Sequence, residues 1–282
     1  MPLSPIWLVL LGILSVQFGA AVAKTLFDEV SPTTIVWLRL VTSAVVLVAI
    51  ARPALRGRTR IDWQVMLAFG LALGLMNWSF YQAMARIPIG LAVTIEFIGP
   101  LTLAVFGSRR ARDLIWVALA GLGVVLLGVQ PGALNWAGVG FALLAAATWA
   151  AYILLSAQTG RRWQGVDGLA LASVVATLLL SPLTFGQYAD QLVDARILLL
   201  GALVGLLSSV IPYTCELVAL RSLRPAVFSI LMSLEPAVAA LAAFVVVGEV
   251  LEPLQLVAMA CVVVASVGAT RSGATISEPV PD

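Results

Sequence analysis

The chain predicts an all-α, polytopic membrane protein: ten transmembrane helices forming two inverted five-helix repeats, with both termini cytoplasmic. Three observations carry that expectation. Hydrophobic residues make up 61% of the 282 and charged residues only 11%, where a soluble domain would be about a quarter charged. The apolar residues fall into stretches of about 20, the length that crosses a bilayer as a helix. A shift of 136 positions lays the first half on the second, placing Pro100 on Pro236 and Ala83 on Ala219.

Apolar runs between charged and turn-forming breaks give the first five spans as Ile6–Ala23, Thr33–Ala51, Gln64–Met84, Ile89–Ser108 and Leu114–Val129. The second five are Ala137–Ala157, Gly168–Gln187, Ile197–Leu220, Ala226–Val247 and Leu254–Thr270. Pro32, Pro88, Pro131, Pro225 and Pro253 fall at helix starts or in the joining turns, where proline is tolerated. Repeat boundaries follow at residues 1–130 and 137–270. Residues 271–282, short and Pro-containing, read as a disordered cytoplasmic tail. Ala21-Val22-Ala23 has the look of a signal-peptidase site, but no Lys or Arg precedes the apolar run, so an uncleaved first helix is expected.

Orientation follows from the cations. The even-numbered connections carry Arg52, Arg56, Arg58, Arg60, Arg109, Arg110, Arg112, Arg161, Arg162, Arg221 and Arg224, and Arg271 lies in the tail. The odd-numbered connections carry only Lys24, Arg86 and Arg196. The even side is therefore cytoplasmic. Trp63, Trp136 and Trp163 mark span ends, as an interfacial aromatic belt would place them. An odd number of helices per repeat makes the second copy enter upside down. Inverted repeats commonly hold a substrate near the midplane where they meet. Gly70-xxx-Gly74 and Gly201-xxx-Gly205 sit in corresponding helices, third and eighth, and permit close helix approach.

A net charge of +2 gives no footing for nucleic acid. His is absent, so there is no imidazole to relay protons and carboxylates remain as carriers. Cys215 and Cys261 lie in apolar stretches without metal-ligand spacing, so no metal and no cofactor are expected. The same absence removes a Ser–His dyad, and no paired aspartates suggest a protease, so an enzyme is not expected.

The functional lead is charge inside the spans. Glu96, Glu216, Glu235 and Arg39 lie in hydrophobic stretches, at a cost of about 2.5–3.5 kcal/mol each on insertion scales. Glu96 precedes Pro100 and Glu235 precedes Pro236, so each half pairs a carboxylate with a proline that removes a backbone hydrogen bond. In repeat coordinates the two acids are three residues apart, about one helical turn. Both are candidates to carry a coupling proton. Arg39 and Glu96 suit the two ends of a zwitterion, guanidinium to carboxylate and carboxylate to ammonium, though they equally suit a salt bridge with each other. Gln17, Asn77 and Tyr81 offer hydrogen bonds at membrane depth, with Gln82 beside them, and Trp149 and Tyr152 are candidate cavity walls. Glu216, near the cytoplasmic end of its span, is expected to pair structurally with Arg221 or Arg224. Glu216, Pro100 and Pro236 are thus structural or gating candidates.

Several segments are familiar in order and spacing: Met76-Asn77-x-x-Phe80-Tyr81, Pro88-x-Gly90-x-Ala92-Val93 leading to Glu96-Phe97-x-Gly99-Pro100, and Ser108-Arg109-Arg110. The second half adds Trp149-Ala150-x-Tyr152, Pro212-Tyr213-x-x-Glu216 and Met232-Ser233-x-Glu235-Pro236-Ala237. Together they resemble the drug/metabolite transporter superfamily with paired EamA domains, and within it the bacterial inner-membrane exporters of threonine and homoserine. The resemblance implies a multi-pass protein of the bacterial inner membrane that exports small amphipathic amino acids, coupled to protons. One departure is Gln17-Phe18-Gly19, where a Trp-Gly pair is more usual. The alternative from the same superfamily is an exporter of drugs or other small metabolites, such as cationic compounds or purines. A phosphorylated substrate would want clustered cations at the midplane, and only Arg39 is there.

Overall fold

The computed structural model describes residues 4–107, 114–128, 135–164, 166–220, 223 and 225–273, and the fold below is that of these residues. They form thirteen α-helices: α1 (Pro5–Thr25), α2 (Pro32–Ala51), α3 (Arg60–Met84), α4 (Ile89–Glu96), α5 (Ile98–Gly107), α6 (Leu114–Gly128), α7 (Trp136–Gly160), α8 (Asp167–Gln187), α9 (Ala195–Gly205), α10 (Ile211–Leu220), α11 (Pro225–Met232), α12 (Glu235–Val247) and α13 (Pro253–Gly273). A π-helical turn, Leu206–Val210, joins α9 to α10 in one continuous rod. Seven helical segments are long and apolar enough to cross a membrane. The protein is therefore all-helical and multi-pass. The other three expected spans correspond to shorter pieces: α4 with α5, α6, and α11 with α12. Val45, Leu199, Phe244 and Val245 are exposed on the outer surface, as lipid-facing side chains are.

Local chemistry sets the helix ends. Thr59 and Asp62 form a reciprocal capping box at the start of α3, with bonds of 3.2 and 2.9 Å. Asn135 accepts from Gly138 N–H at 3.1 Å to start α7, and Asp194 accepts from Arg196 N–H at 2.8 Å to start α9. Gly248, at φ +77°, ends α12 in a left-handed cap: its own N–H reaches Phe244 O and that of Glu249 reaches Ala243 O. α13 runs to Gly273, past the predicted end at Thr270. Residues 274–282 of the expected tail, the Ser108-Arg109-Arg110 segment, and Arg221 and Arg224 lie outside the described residues. Trp163 departs from the expected belt. It is buried, edge-on to Trp63 at 5.6 Å, with the Arg58 guanidinium 4.2 Å from its ring. Trp136 is exposed at the start of α7, as expected.

Helices from the two halves pair reciprocally. α3 packs on α8, and the α9–π–α10 rod packs on α2. α1 packs on α11 and α12, while α7 packs on α4 and α5; α6 pairs with α13. Glycines make these contacts close. Gly70 and Gly74 face Val175, Ala176 and Leu179 of α8, and Gly201 and Gly205 face Leu38 and Thr42 of α2. The tightest approach is between α5 and α7, where a Cβ at Gly99 would collide with the Ala146 carbonyl. Gly140 of α7 faces open space. Gly99→Ala is expected to destabilise the protein by about 1–3 kcal/mol through overpacking. Gly140→Ala should lower stability by nothing measurable, and thermal unfolding in detergent compares the two.

Candidate functional site

Two helix breaks set the acids. α4 ends at Glu96 because Pro100 offers no N–H to the Glu96 carbonyl, and the chain restarts as α5 after Phe97. α11 ends at Met232, whose carbonyl would need the N–H that Pro236 lacks, and α12 starts at Glu235 after a turn. Interrupted helices at membrane depth are tolerated where they are covered by protein or line a cavity. Here both breaks border a central cavity of about 400 Å³. Glu235 occupies the first turn of α12, at the positive end of that helix dipole, whereas Glu96 closes the negative end of α4.

A third break lies in the rod of α9 and α10. An α-helix would bond the Ser208 carbonyl to the N–H of residue 212, which is a proline. Arg39 of α2 supplies a donor instead: Nη2 donates to Ser208 O at 2.8 Å and Nε to Ser209 Oγ at 3.0 Å. Ser15 Oγ of α1 donates to the neighbouring Leu207 O at 2.6 Å. Gly19 lets α1 approach so closely that a Cβ there would strike Ser208 Oγ. The π-turn is thus sealed by both neighbouring helices. Arg39 is 7% exposed and spends one edge of its guanidinium on this task. Its Nη1 takes part in none of these bonds, and the ring of Tyr81 lies 5.7 Å away.

The cavity gathers most of the predicted residues. Gln17 of α1, Arg39 of α2, Asn77 of α3, Glu96 of α4, Pro100 of α5, and Trp149 and Tyr152 of α7 all line it, as do Glu216 of α10 and Glu235 of α12. Glu96 is in Coulombic range of Arg39, and Glu235 of both Glu96 and Glu216. Arg39 and Glu96 form no direct ion pair; those among the described residues are Lys24–Glu249, Arg162–Asp62 and Arg196–Glu29. Two residues sit apart from the wall. Tyr81 is fully buried behind Arg39, and Pro236 is buried in the first turn of α12. Gln82 is already engaged by Thr33 at 3.1 Å and by Arg86 at 2.8 Å. Asn77 donates to Leu73 O in its own helix at 2.9 Å. Gln17 Oε1 is buried without a donor.

Aromatic contacts stiffen one side. Trp149 stands edge-on to Phe97 at 5.3 Å, and Tyr152 leans on Phe69 at 5.1 Å. Arg221 and Arg224, the expected structural partners of Glu216, lie outside the described residues. Glu216 lines the cavity one turn beyond Tyr213, which interacts with both Arg39 and Tyr152. Tyr213, Ser208, Phe228, Met232, Ser266 and Thr270 join the wall without having been singled out as ligands. The spacing Tyr213-x-x-Glu216 signals a shared helix face, and Ser208 is marked by the proline four residues on.

The whole chain has recognisable relatives. The threonine/homoserine exporter RhtA of Salmonella typhimurium (strain LT2) is 38% identical over 273 residues, which span 94% of this chain and 92% of that protein. The protein of the same name from Escherichia coli (strain K12) is 37% identical over the same extent. A solved crystal structure aligns with a TM-score of 0.64 at 18% identity, covering 95% of this chain and 96% of its own, a likeness of fold. Residues 3–130 and again 136–271 match the model of the EamA-like transporter family. Nearly every described helix lies within those two matches, and the chain belongs to the EamA-like transporter family.

Proposed function

We propose that this protein is a secondary transporter that exports small amphipathic amino acids of the threonine and homoserine type across the bacterial inner membrane. Protons drive it, and the cavity faces the two sides of the membrane in turn. The observation that carries this reading is the meeting of one guanidinium and three carboxylates, from both halves of the chain, on the wall of one cavity. The names and high coverage of the exporter relatives support the substrate class. A chain with no His and a site of carboxylates on broken helices favours a carrier over an enzyme.

The architecture we infer is ten spans in two inverted repeats, covering residues 1–130 and 137–270, with both termini cytoplasmic. The reciprocal helix pairings support it: third span on seventh, eighth on second, first on ninth, sixth on fourth. The substrate carboxylate would take the edge of Arg39 that borders Tyr81 and Tyr213, since the other edge is committed to Ser208 and Ser209. The ammonium group would go to Glu96, where the negative end of α4 adds to the attraction. Gln17 Oε1 offers another acceptor. Glu235 and Glu216 would exchange protons with the loaded and empty states. A second reading, export of hydrophobic cations, is favoured by one observation: carboxylates outnumber guanidinium three to one beside Trp149, Tyr152 and Tyr213.

Labelled threonine should accumulate in inside-out vesicles when the lumen is acidified, and a protonophore should abolish the accumulation. Lumenal protons leaving then exchange for substrate entering. Uptake indifferent to the gradient would refute the coupling. Glu96→Gln should weaken substrate binding by about 2 kcal/mol, roughly thirtyfold in Kd. Glu235→Gln should retain substrate counterflow in liposomes but lose gradient-driven accumulation. Arg39→Lys, which lacks the planar fork that serves the Ser208 carbonyl, the Ser209 hydroxyl and a carboxylate together, should reduce counterflow about tenfold or more. If cells overproducing the protein resist cationic dyes but not homoserine, the second reading prevails.

A further inference from the structure

One helical turn beyond the cavity residues Ala20 of α1 and Val93 of α4 lies a cluster that the substrate reading leaves unused. Lys24, in the last turn of α1, forms an ion pair with Glu249, and its Nζ also donates to Ile87 O at 2.9 Å. The second oxygen of Glu249 accepts from Ile89 N–H at 2.9 Å. Ile89 begins α4, and the residue capping it, Pro88, has no side-chain hydrogen bond to give. A carboxylate from the far half of the chain therefore does the work of the missing N-cap. The left-handed cap at Gly248 aims Glu249 there. Both side chains of the pair are about five-sixths buried, at 17% and 16% exposure. Beneath it, Gly90 rests on Ala240 and Leu251.

Three helices meet at this knot, and they carry the cavity residues Gln17, Glu96 and Glu235 respectively. At the other end of the cavity, Thr270, Phe228 and Glu216 reach toward the opposite helix termini. Opening the Lys24 end requires α1 and α12 to part, which breaks the ion pair and uncaps α4 together. We propose that Lys24 and Glu249 form a gate latch, closed here and released once in each transport cycle, whose release also frees the helix that bears Glu96. This rests on the proposed function for its cycle, but not for its geometry.

The test uses the full chain with Cys215→Ala and Cys261→Ala, carrying Lys24→Cys and Glu249→Cys, reconstituted in liposomes. A short, reducible bis-methanethiosulfonate reagent should link the two thiols and cut substrate counterflow at least tenfold, with recovery on adding dithiothreitol. Each single-cysteine protein should keep its own counterflow rate when the reagent is added. Linked protein that exchanges within twofold of the unlinked rate overturns the latch, and so does failure of the thiols to link. A second measurement needs no substrate. Ala20→Cys in the cavity wall, labelled by an impermeant maleimide from the Lys24 side, should react at least threefold faster when Glu249→Gln is added. Unchanged labelling overturns the proposal. If the parent protein moves neither threonine nor homoserine, the substrate reading fails while the labelling result still decides the latch.

Discussion

A peptide carbonyl at membrane depth has no water to accept from, so each place where proline withholds an N–H must be answered by another part of the protein. That constraint organises this molecule. Pro100, Pro212 and Pro236 each interrupt a helix, and all three interruptions turn toward the centre rather than toward lipid. At Pro212 the answer is visible atom by atom, with Arg39 and Ser15 donating to successive carbonyls of the π-turn. At Pro100 and Pro236 the breaks coincide with carboxylates. Arg39 both lines the cavity and repairs the backbone.

This double use changes the reading of Arg39. Isolated in an apolar span, a guanidinium invites either a salt bridge or a ligand. In the folded protein part of its hydrogen-bonding capacity holds the π-turn shut, and Tyr81 and Tyr213 border the remainder. Its anchorage in α2 and its hold on the α9–α10 rod also fix where Tyr213 and Glu216 point. The cavity then carries three acids and one base, an imbalance that favours a positively charged guest or protons over an anion.

Much of this was legible in the chain. Apolar runs located the membrane-length helices, and the prolines beside Glu96 and Glu235 marked the breaks where α4 and α11 end. Burial of charge pointed to residues that share one cavity. The misplacements have physical reasons. Glu216 lines the cavity on the helix face it shares with Tyr213, and periodicity alone does not say which neighbours that face meets. Tyr81 shares the helix face of Asn77 but is fully buried, its ring 5.7 Å from the Arg39 guanidinium. Trp163 looked interfacial, yet Trp63 and Arg58 enclose it. The Lys24–Glu249 contact joins residues more than two hundred positions apart, and no local pattern encodes it.

The reciprocal pairing bears on how the chain is made. Gly70 and Gly74 present a bare stripe that is covered only by α8, and the groove on α2 waits for Gly201 and Gly205. Small-residue faces gain little from lipid, since their association depends on close contact between backbones. While the ribosome is still adding the second set of helices, the first set has its mating surfaces empty. Assembly is therefore a late event, completed when the last spans are inserted, and a nascent chain halted midway would present to the insertion machinery a set of helices without their counterparts.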